Sequence, residues 1–257
     1  MKIHRFIGSF DLSKKEINIV DKEIVNQMKN VLRLKVGELV EVCDGINISA
    51  IAEIIKIEKD NINVSIKETI KDKNKTKNDV ILFCAILKKE NFELVVQKTT
   101  ETGVSKIVPI ITSRTIKNGL NMERLRKIAK EASEQCGRTN VPIISEPITF
   151  DESLKLINNK NTNMIFNAEG ELTFETHYTG RQSEHSKFSA ENYVRVSKDN
   201  SLTAEQINIF IGPEGGWTEE EIEKTKNLDF KTASLGPLIL RGETAAIVAT
   251  YLISNLQ

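Results

Sequence analysis

The sequence predicts an α/β protein in which a small N-terminal β-barrel precedes an α/β domain with a mostly parallel sheet. Three observations predict this class. Apolar and polar residues alternate through much of residues 1–72, the segment 73–79 has no apolar residue, and from residue 80 apolar runs alternate with segments of helical period. We therefore interpret residues 1–72 as the barrel, 73–79 as a linker and 80–257 as the second domain.

The bulk composition excludes several classes of protein. The chain has 257 residues, of which 39% are apolar and 28% charged, and its formal net charge is +0, so no global field points to nucleic acid or membrane. Its three cysteines include no CxxC pair and its three histidines form no metal-binding pattern, which predicts a reducing compartment and no metal. Because the sequence shows no signal-peptide core and no run of about 20 apolar residues, we expect a cytoplasmic protein without a membrane partner.

Strand patterns dominate the first domain. Residues 39–57 alternate apolar and polar side chains around Asp44-Gly45, which is a strong hairpin signal, and the next segment continues with period two. Before this hairpin, residues 23–38 carry the spacing of a short amphipathic helix that is expected to end near Gly37. Several short strands with one helix are typical of a small barrel.

The second domain alternates strands and helices. The predicted strands are residues 80–87, 106–112, 163–168, 207–212 and 232–236. The predicted helices are residues 91–104, 121–137, 218–227 and 242–256. The second of these helices is expected to bury Leu125, Ile128, Ala132 and Cys136, which recur at helical spacing. The polar and aperiodic residues 171–203 are interpreted as a long loop beside the site.

The first of two glycine-proline elbows is IGPEGGWTEEE, which joins a predicted strand to a predicted helix. Gly212, Gly215 and Gly216 let the backbone turn sharply and let a ligand approach it closely. Thr218 is the first residue of a capping box for the helix. The stretch matches neither GxxxxGK[ST] nor GxGxxG, and Glu214 repels phosphate, so a ligand with hydroxyls or a positive charge is favoured. A structural turn with a solvated glutamate is the alternative.

The second elbow, LGPLILRGETA, repeats the order of strand, Gly-Pro, loop and helix. Leu238, Ile239 and Leu240 make its loop apolar, so the loop is expected to be buried or covered by a ligand. Since ligands bind outside the carboxyl ends of parallel strands, a hydrophobic pocket between the two elbows suits an adenine ring and a ribose. Beyond Glu243 the last helix has no charge, which is typical either of a core helix or of half a subunit interface.

Five stretches, spread over nearly the whole chain, form a specific combination. They are VLRLKVG (31–37), QKTTETGVSKIVP (97–109), EASEQCGR (131–138), IGPEGGWTEEEI (211–222) and LGPLILRGETA (235–245). Together they resemble the RsmE family of 16S ribosomal RNA uridine-N3 methyltransferases, which belongs to the SPOUT, or trefoil-knot, superfamily. Three features depart from the family pattern: Gln27 stands where histidine is frequent, Thr102 stands where leucine is common, and the 171–203 loop is longer and more polar.

The resemblance implies a fold and an activity. The barrel would be a PUA-like RNA-binding domain, and the second domain would be a SPOUT domain whose chain forms a deep trefoil knot. The elbows would be knot loops that bind S-adenosylmethionine, and the enzyme would act as a homodimer. The product would be N3-methyluridine in small-subunit ribosomal RNA, and the partner would be that RNA or the assembled small subunit.

The resemblance also implies site residues. The expected cofactor-binding residues are Asn167, Gly212, Glu214, Gly215, Gly216, Leu235, Gly236, Ile239, Leu240 and Arg241. The expected catalytic residues are Arg241, whose guanidinium suits charge developing on the uracil oxygens, and Glu243 at the start of the last helix. An ion pair of Arg241 with Glu243 or Glu214 is the structural alternative. The expected RNA-binding residues are Arg5, Lys29, Arg33, Lys35 and Arg138.

Three other functions stay open at this point. The first is a knotted methyltransferase that acts on transfer RNA. The second is a non-catalytic RNA-binding assembly factor that has kept the fold, and cofactor binding without turnover would support it. The third is a general nucleotide-binding αβ protein, which the missing phosphate motif disfavours and which ATP binding would support.

Overall fold

The chain forms two compact units. The first comprises Met1–Lys75 and Ala129–Val141, and the second comprises Thr76–Ile128 and Pro142–Gln257. The computed structural model describes residues 3–71, 78–116, 119–158, 160–168, 172–178, 192–196 and 206–255. The first unit thus includes a segment, Ala129–Val141, that is distant in sequence and that local patterns did not assign to it.

A five-stranded sheet forms the frame of the first unit. Its strands are β1 (His4–Ile7), β2 (Glu16–Ile19), β3 (Leu39–Cys43), β4 (Ile48–Ile57) and β5 (Ile62–Lys71), in the order β1-β3-β4-β5-β2. The predicted hairpin is confirmed, because β3 and β4 pair antiparallel and Gly45 has φ of 78°. The Asp44 carboxylate accepts hydrogen bonds from three backbone N–H groups of the turn. The core of this unit includes the fully buried Phe6, Met28, Val40, Ile54 and Ile62.

The helical segment of the first unit is shorter than predicted. Helix α1 spans Lys22–Asn26, with the Asp21 side chain capping its first N–H groups, and a π-helical turn, Gln27–Val31, follows directly. The expected end near Gly37 was wrong. Arg33 has a left-handed backbone conformation with φ of 54°, which ends the helical path earlier.

Residues 129–141 form hydrogen bonds with backbone groups in the rest of the first unit. The Glu134 carboxylate accepts a hydrogen bond from the Ile7 N–H at 2.8 Å, and the Val141 N–H donates to the Gly45 carbonyl at 3.2 Å. Burial raises the pKa of Glu134 above its ordinary value, although the bond from Ile7 opposes that shift.

Burial also raises the pKa of the Cys43 thiol to about 12, so this thiol is unreactive at neutral pH.

A nine-stranded, mostly parallel sheet forms the second unit. Its strands are β6 (Asp79–Ala85), β7 (Lys106–Ile111), β8 (Ile143–Ile144), β9 (Ile148–Thr149), β10 (Thr162–Phe166), β11 (Leu172–Tyr178), β12 (Asn192–Val196), β13 (Gln206–Ile211) and β14 (Lys231–Ser234). The order is β12-β11-β14-β10-β13-β6-β7-β8, and β9 also pairs with β7. The five predicted strands of this domain are present, and the predicted class of fold is confirmed. The trefoil knot stays a prediction.

Five helices follow α1 in the described residues. They are α2 (Lys89–Thr102), α3 (Met122–Cys136), α4 (Phe150–Lys155), α5 (Glu219–Lys226) and α6 (Gly242–Ser254). Four were predicted, whereas α4 is too short to show a helical period. Leu125 and Ala132 of α3 are buried as predicted, but Cys136 is exposed because the helix ends there. Within the described part of the chain, no helix is long and apolar enough to cross a membrane.

The region predicted as one long loop contains two strands. β11 and β12 lie within residues 171–203 and pair antiparallel, and β11 extends the parallel sheet beside β14. The loop prediction was wrong for these strands, because backbone pairing does not require the apolar alternation by which strands are recognised. The rest of residues 171–203 lies outside the described residues.

Aromatic packing supports the strands that lead to the elbows. Phe83 of β6 stacks on Phe210 of β13 with ring centroids 4.4 Å apart. Phe150 and Phe230 pack edge-on against Phe210. Trp217, which follows β13, packs against Phe150 at 5.4 Å between centroids. The first elbow therefore rests on the hydrophobic core.

Candidate cofactor-binding site

A cavity of about 330 Å³ lies between the first elbow (residues 212–217) and the second elbow (residues 235–241). The elbows follow β13 and β14, which both pair in parallel with β10, so the carboxyl ends of the three strands meet at one edge of the sheet. The cavity is lined by Phe166, Asn167, Ala168, Ile211, Gly212, Pro213, Glu214, Gly216, Trp217, Ser234, Leu235, Gly236, Leu238, Ile239, Leu240, Arg241, Gly242 and Ala245. Its size and its apolar walls with a few polar groups are typical of a small-molecule site.

The first elbow is a closed turn under an indole ring. The Gly216 N–H donates to the Pro213 carbonyl at 2.8 Å, and Gly216 has φ of 70°. A Cβ on Gly212 would come within 3.0 Å of the Trp217 ring. The Trp217 Nε1–H donates to the Phe166 carbonyl at 3.0 Å. Position 212 is therefore a glycine because the indole occupies the space of a side chain.

The helix after the first elbow starts in a fixed position. Thr218 and Glu221 form the predicted capping box at the start of α5. The Glu221 carboxylate, only 3% exposed, also accepts a hydrogen bond from the Ser113 N–H at 2.9 Å. Ser113 follows β7, and β6 lies between β7 and β13 in the sheet. The loop after β7 thus reaches across the end of β6 to the first elbow.

Arg114, in the same loop, bonds two carbonyls of the first elbow. Its Nη1 donates to the Gly215 carbonyl at 2.7 Å and to the Trp217 carbonyl at 3.2 Å. A Cβ on Gly215 would lie 3.4 Å from the aliphatic stem of Arg114. Gly215 therefore faces Arg114, and it does not line the cavity as Gly212 and Gly216 do.

The second elbow is held by fewer bonds. The Ser234 hydroxyl accepts a hydrogen bond from the Gly236 N–H at 3.3 Å and donates to the Gly236 carbonyl at 3.1 Å. Gly236 has φ of 113°. Leu238 is 75% exposed and Ile239 is 88% exposed. Of the two alternatives predicted for this loop, burial of its tip by the chain itself is not observed, and cover by a ligand stays a prediction.

The two elbows meet at Gly242, the first residue of α6. A Cβ at this position would lie 2.9 Å from Cδ2 of Leu87 and 3.5 Å from the Gly212 carbonyl oxygen. Leu87 follows β6 and is buried. Because an added methyl group would force the Leu87 side chain to shift, glycine at position 242 leaves the present packing of Leu87 undisturbed.

Two carboxylates lie near the cavity. Glu214 is exposed in the first elbow and accepts a hydrogen bond from the Lys88 N–H at 3.4 Å. Glu243, in the first turn of α6, is 7% exposed, and its Oε2 has no hydrogen-bond partner among the described residues. Burial, together with the charges of Glu214 and Glu243, raises the pKa of the Cys84 thiol. The described ranges contain no group of three or more histidine, cysteine, aspartate or glutamate residues placed to hold a metal ion.

Arg241 lies at the mouth of the cavity. It is exposed and directly precedes α6, and its side chain makes no capping hydrogen bond. Among the side chains that the structure describes, no carboxylate oxygen lies within 4.0 Å of the Arg241 guanidinium, which is the limit for an ion pair. The alternative of an ion pair with Glu214 or Glu243 is therefore not observed, and the guanidinium is available to a bound molecule.

The structure brings the predicted cofactor-binding residues together, with one exception. All ten except Gly215 line the cavity, and Glu243 does not line it. That these residues bind a cofactor stays a prediction. Trp217 and Arg114 were missed by sequence reasoning. Trp217 carried a signal, because the single tryptophan of the chain stands inside the elbow, whereas no local signal marked Arg114.

The predicted RNA-binding residues all belong to the first unit. Arg5 forms a bidentate ion pair with a glutamate of β3 at 2.8 Å. Lys29 donates to two backbone carbonyls, and Arg138 donates to a side-chain amide. Arg33 and Lys35 are exposed. RNA contact stays a prediction for all five residues.

Family models assign both domains of the chain to a class of protein. The model of an RNA methyltransferase domain matches residues 74–254, and the model of an RNA methyltransferase PUA domain matches residues 20–67. The chain therefore has an RNA methyltransferase domain preceded by a PUA domain.

Curated relatives narrow this class. The ribosomal RNA small subunit methyltransferase E of Rickettsia conorii is 36% identical over 251 residues, which cover 97% of this chain and 94% of the relative. The enzyme of the same name from Bacillus subtilis is 30% identical, over 90% of this chain and 87% of the relative. The chain belongs to this family, RsmE.

Two solved structures share the fold. The ribosomal RNA small subunit methyltransferase E of Neisseria gonorrhoeae, bound to S-adenosyl methionine, has a TM-score of 0.81 at 26% identity and covers 97% of this chain and 95% of its own. A methyltransferase of Legionella pneumophila in complex with the same cofactor has a TM-score of 0.81 at 26% identity, over 98% of this chain and 97% of its own.

Proposed function

We propose that this protein is an S-adenosylmethionine-dependent methyltransferase that methylates N3 of a specific uridine in 16S ribosomal RNA of the small subunit. The cavity between the two elbows carries the proposal. It has a volume of about 330 Å³, and backbone of two glycine turns forms part of its walls. An adenine ring and a ribose can approach such a backbone closely. Two solved relatives of the same fold hold this cofactor.

The charges around the cavity fit S-adenosylmethionine better than a nucleotide phosphate. Glu214 lines the cavity and would repel a phosphate, and Arg241 is the one basic residue among the lining residues. When bound, the cofactor supplies a methyl group on a positively charged sulfur, and a carboxylate favours that charge. We assign its binding to Asn167, Gly212, Glu214, Gly216, Leu235, Gly236, Ile239, Leu240 and Arg241.

Arg241 is the proposed catalytic residue for the uracil. Loss of the N3 proton leaves negative charge on the uracil oxygens, and a guanidinium donates hydrogen bonds to that charge as it develops. Arg241 is exposed at the mouth of the cavity, so it can reach a base that enters there. We assign to Glu243 the role of a hydrogen-bond acceptor, because its Oε2 is buried without a partner among the described residues.

The first unit is proposed to position the RNA. The PUA model matches it, and Arg33 and Lys35 present exposed positive charges there. Such residues contact phosphates, which orients the RNA without reading its sequence. Arg5, Lys29 and Arg138 already have partners within the unit, so we expect smaller effects from them. A small-subunit substrate would place the reaction in the cytoplasm.

We further propose a homodimer whose interface includes α6. Beyond Glu243 this helix has no charge, and its Tyr251 is 55% exposed. Leu94 of α2, which packs beside α6, is 38% exposed. Exposed aromatic and apolar side chains on an uncharged helix are typical of a subunit interface. Sedimentation equilibrium is expected to give twice the mass of one chain, and a monomer over the whole concentration range would contradict the proposal.

The activity is tested by transfer of a labelled methyl group. The acceptors are unmodified small ribosomal subunits, naked 16S ribosomal RNA and transfer RNA, each followed by nucleoside analysis. We expect N3-methyluridine in a small-subunit acceptor and no label in transfer RNA. Label in transfer RNA alone would assign a different substrate. Cofactor binding without any product would point instead to a non-catalytic assembly factor.

A further inference from the structure

Two peptide groups of the first elbow are fixed from both sides. The peptide between Gly215 and Gly216 has its carbonyl bonded by Arg114 and its N–H bonded to Pro213. The peptide between Trp217 and Thr218 has its carbonyl bonded by the same Nη1 atom of Arg114 and its N–H bonded to the Glu221 carboxylate at 2.9 Å. Because a peptide is planar, its carbonyl and N–H point in opposite directions, so each pair of bonds fixes one orientation.

The first elbow needs such a lock from outside. Gly215 and Gly216 are adjacent glycines, and glycine enters positive φ as readily as negative φ. A peptide between two glycines can therefore flip at little steric cost, and a flip would reverse both of its hydrogen-bonding groups. The Gly216 to Pro213 bond opposes the flip from within the turn. Arg114 opposes it from another loop.

Arg114 is itself held in a defined place. Thr112 and Thr115 close a turn around it: the Thr112 N–H donates to the Thr115 hydroxyl at 2.9 Å, and the Thr115 N–H donates to the Thr112 carbonyl at 3.1 Å. The neighbouring Ser113 N–H is bound to Glu221. The stem of Arg114 lies beside Gly215, where an added Cβ would be in van der Waals contact with it at 3.4 Å. The guanidinium is thus preorganised rather than drawn from a freely moving side chain.

We propose that Arg114 is a positioning residue that locks these two peptides and thereby holds Trp217 as a wall of the cofactor cavity. Trp217 lies between the two locked peptides, is 9% exposed and lines the cavity. Arg114 does not line the cavity and acts through the elbow. The inference rests on the proposed function, since it names a residue on which cofactor affinity depends. A direct contact of Arg114 with an RNA phosphate is the competing role.

The single tryptophan makes a direct test possible, because all indole emission comes from Trp217. The variants are Arg114→Ala and Arg114→Lys, which keeps the stem and the charge. Arg126→Ala is the matched control, since Arg126 forms an exposed ion pair with Glu146 and does not line the cavity. For each protein we would measure circular dichroism, Trp217 emission and acrylamide quenching without cofactor, the Kd for S-adenosylmethionine, and KM for the RNA acceptor.

Arg114→Ala is expected to keep the circular dichroism spectrum, to shift Trp217 emission to longer wavelength with stronger quenching, and to weaken cofactor binding about tenfold, the size expected for lost bonds to a charged donor. Arg114→Lys should recover part of both effects. The cofactor Kd of Arg126→Ala should stay within about twofold of the unmodified protein, and so should the KM for RNA of each variant. If Arg114→Ala does not fold, Arg114→Lys must still show intermediate emission and affinity.

Unchanged emission and cofactor affinity in Arg114→Ala would overturn the proposal. A raised KM for RNA with a smaller salt dependence, at normal cofactor affinity, would overturn it in favour of a phosphate contact. Failure of the unmodified protein to bind S-adenosylmethionine would instead overturn the proposed function. Trp217 emission would then still report whether Arg114 holds the elbow, so the two failures are distinguishable.

Discussion

The two elbows share a sequence pattern but differ in how they are held. The first elbow is tied by a turn, a capping box, the indole N–H of Trp217 and the side chain of Arg114. The second elbow has one hydroxyl, from Ser234, that bonds both backbone groups of Gly236. Its tip exposes Ile239 to 88%. The first elbow is thus a rigid wall, whereas the second leaves apolar surface in water.

This difference assigns different tasks to the two walls. A wall fixed by its own hydrogen bonds is formed before a ligand arrives, so little ordering is needed on binding. A wall with exposed apolar side chains gains stability when a ligand covers them. The second elbow also ends in Arg241, so the residue assigned to the uracil stands on the wall with the exposed apolar side chains. The predictions below test this division, from the largest expected effect to the smallest.

Arg241→Ala is expected to lower kcat by about 10²- to 10³-fold, the loss measured when one donor to a developing oxyanion is removed. The cofactor Kd should change much less, because the cavity keeps its other walls. Single-turnover kinetics and calorimetric titration measure the two quantities. A weaker cofactor affinity with kcat unchanged at saturating cofactor would show that Arg241 belongs to the binding wall alone.

Gly242→Ala is expected to destabilise the fold, because its Cβ would lie 2.9 Å from Leu87 and 3.5 Å from the Gly212 carbonyl oxygen. Overpacking costs about 1–3 kcal/mol, which exceeds the roughly 0.5–1 kcal/mol that alanine gains over glycine in a helix. Urea unfolding gives the difference. Gly119→Ala is the control, since no described atom other than those of its chain neighbours lies within 4 Å of its added methyl group. A Gly242→Ala protein as stable as the control would contradict the overpacking argument, because it would mean that Leu87 moves aside without cost.

Gly236→Ala and Gly216→Ala compare the backbones of the two elbows. Gly236 has φ of 113°, beyond the range of an ordinary left-handed residue, and Gly216 has φ of 70°, within it. We expect a loss of about 1–2 kcal/mol at Gly216 and a larger one at Gly236. Gly215→Ala, with no positive φ in its backbone, should cost less than either. The same urea titrations rank the three, and the reverse order would contradict the strain argument.

Ile239→Ser is expected to leave the unfolding free energy unchanged and to weaken cofactor binding about three- to tenfold, because a side chain that is 88% exposed contributes only once it is covered. Ile116→Ser removes an equally apolar side chain that is 85% exposed and does not line the cavity, so it serves as the control. Equal cofactor affinity in both variants would show that the cofactor does not cover Ile239 of the second elbow.

The family and most of the cavity could be predicted from the sequence, because their signals are local. The strand, glycine turn and helix cap of each elbow lie within about a dozen residues, so backbone propensity alone marks them. Nine predicted cofactor-binding residues line the cavity for this reason. The predictions that failed depended on distant partners. The pairing of β11 with β12 follows from what packs nearby, which periodicity does not record, whereas the exposure of Cys136 follows from the end of α3.

The sequence by itself determined the five strands and four helices predicted for the second domain, the two elbows and the family motifs. The tertiary structure decided that Gly215 faces Arg114, a residue 101 positions away, rather than the cavity. It also decided that Ala129–Val141 belongs to the first unit. The physical reason is that propensities act within a few residues of the chain, whereas the order of strands in a sheet sets which loops meet at its edge. Only that order brings the loop after β7 across β6 to the loop after β13.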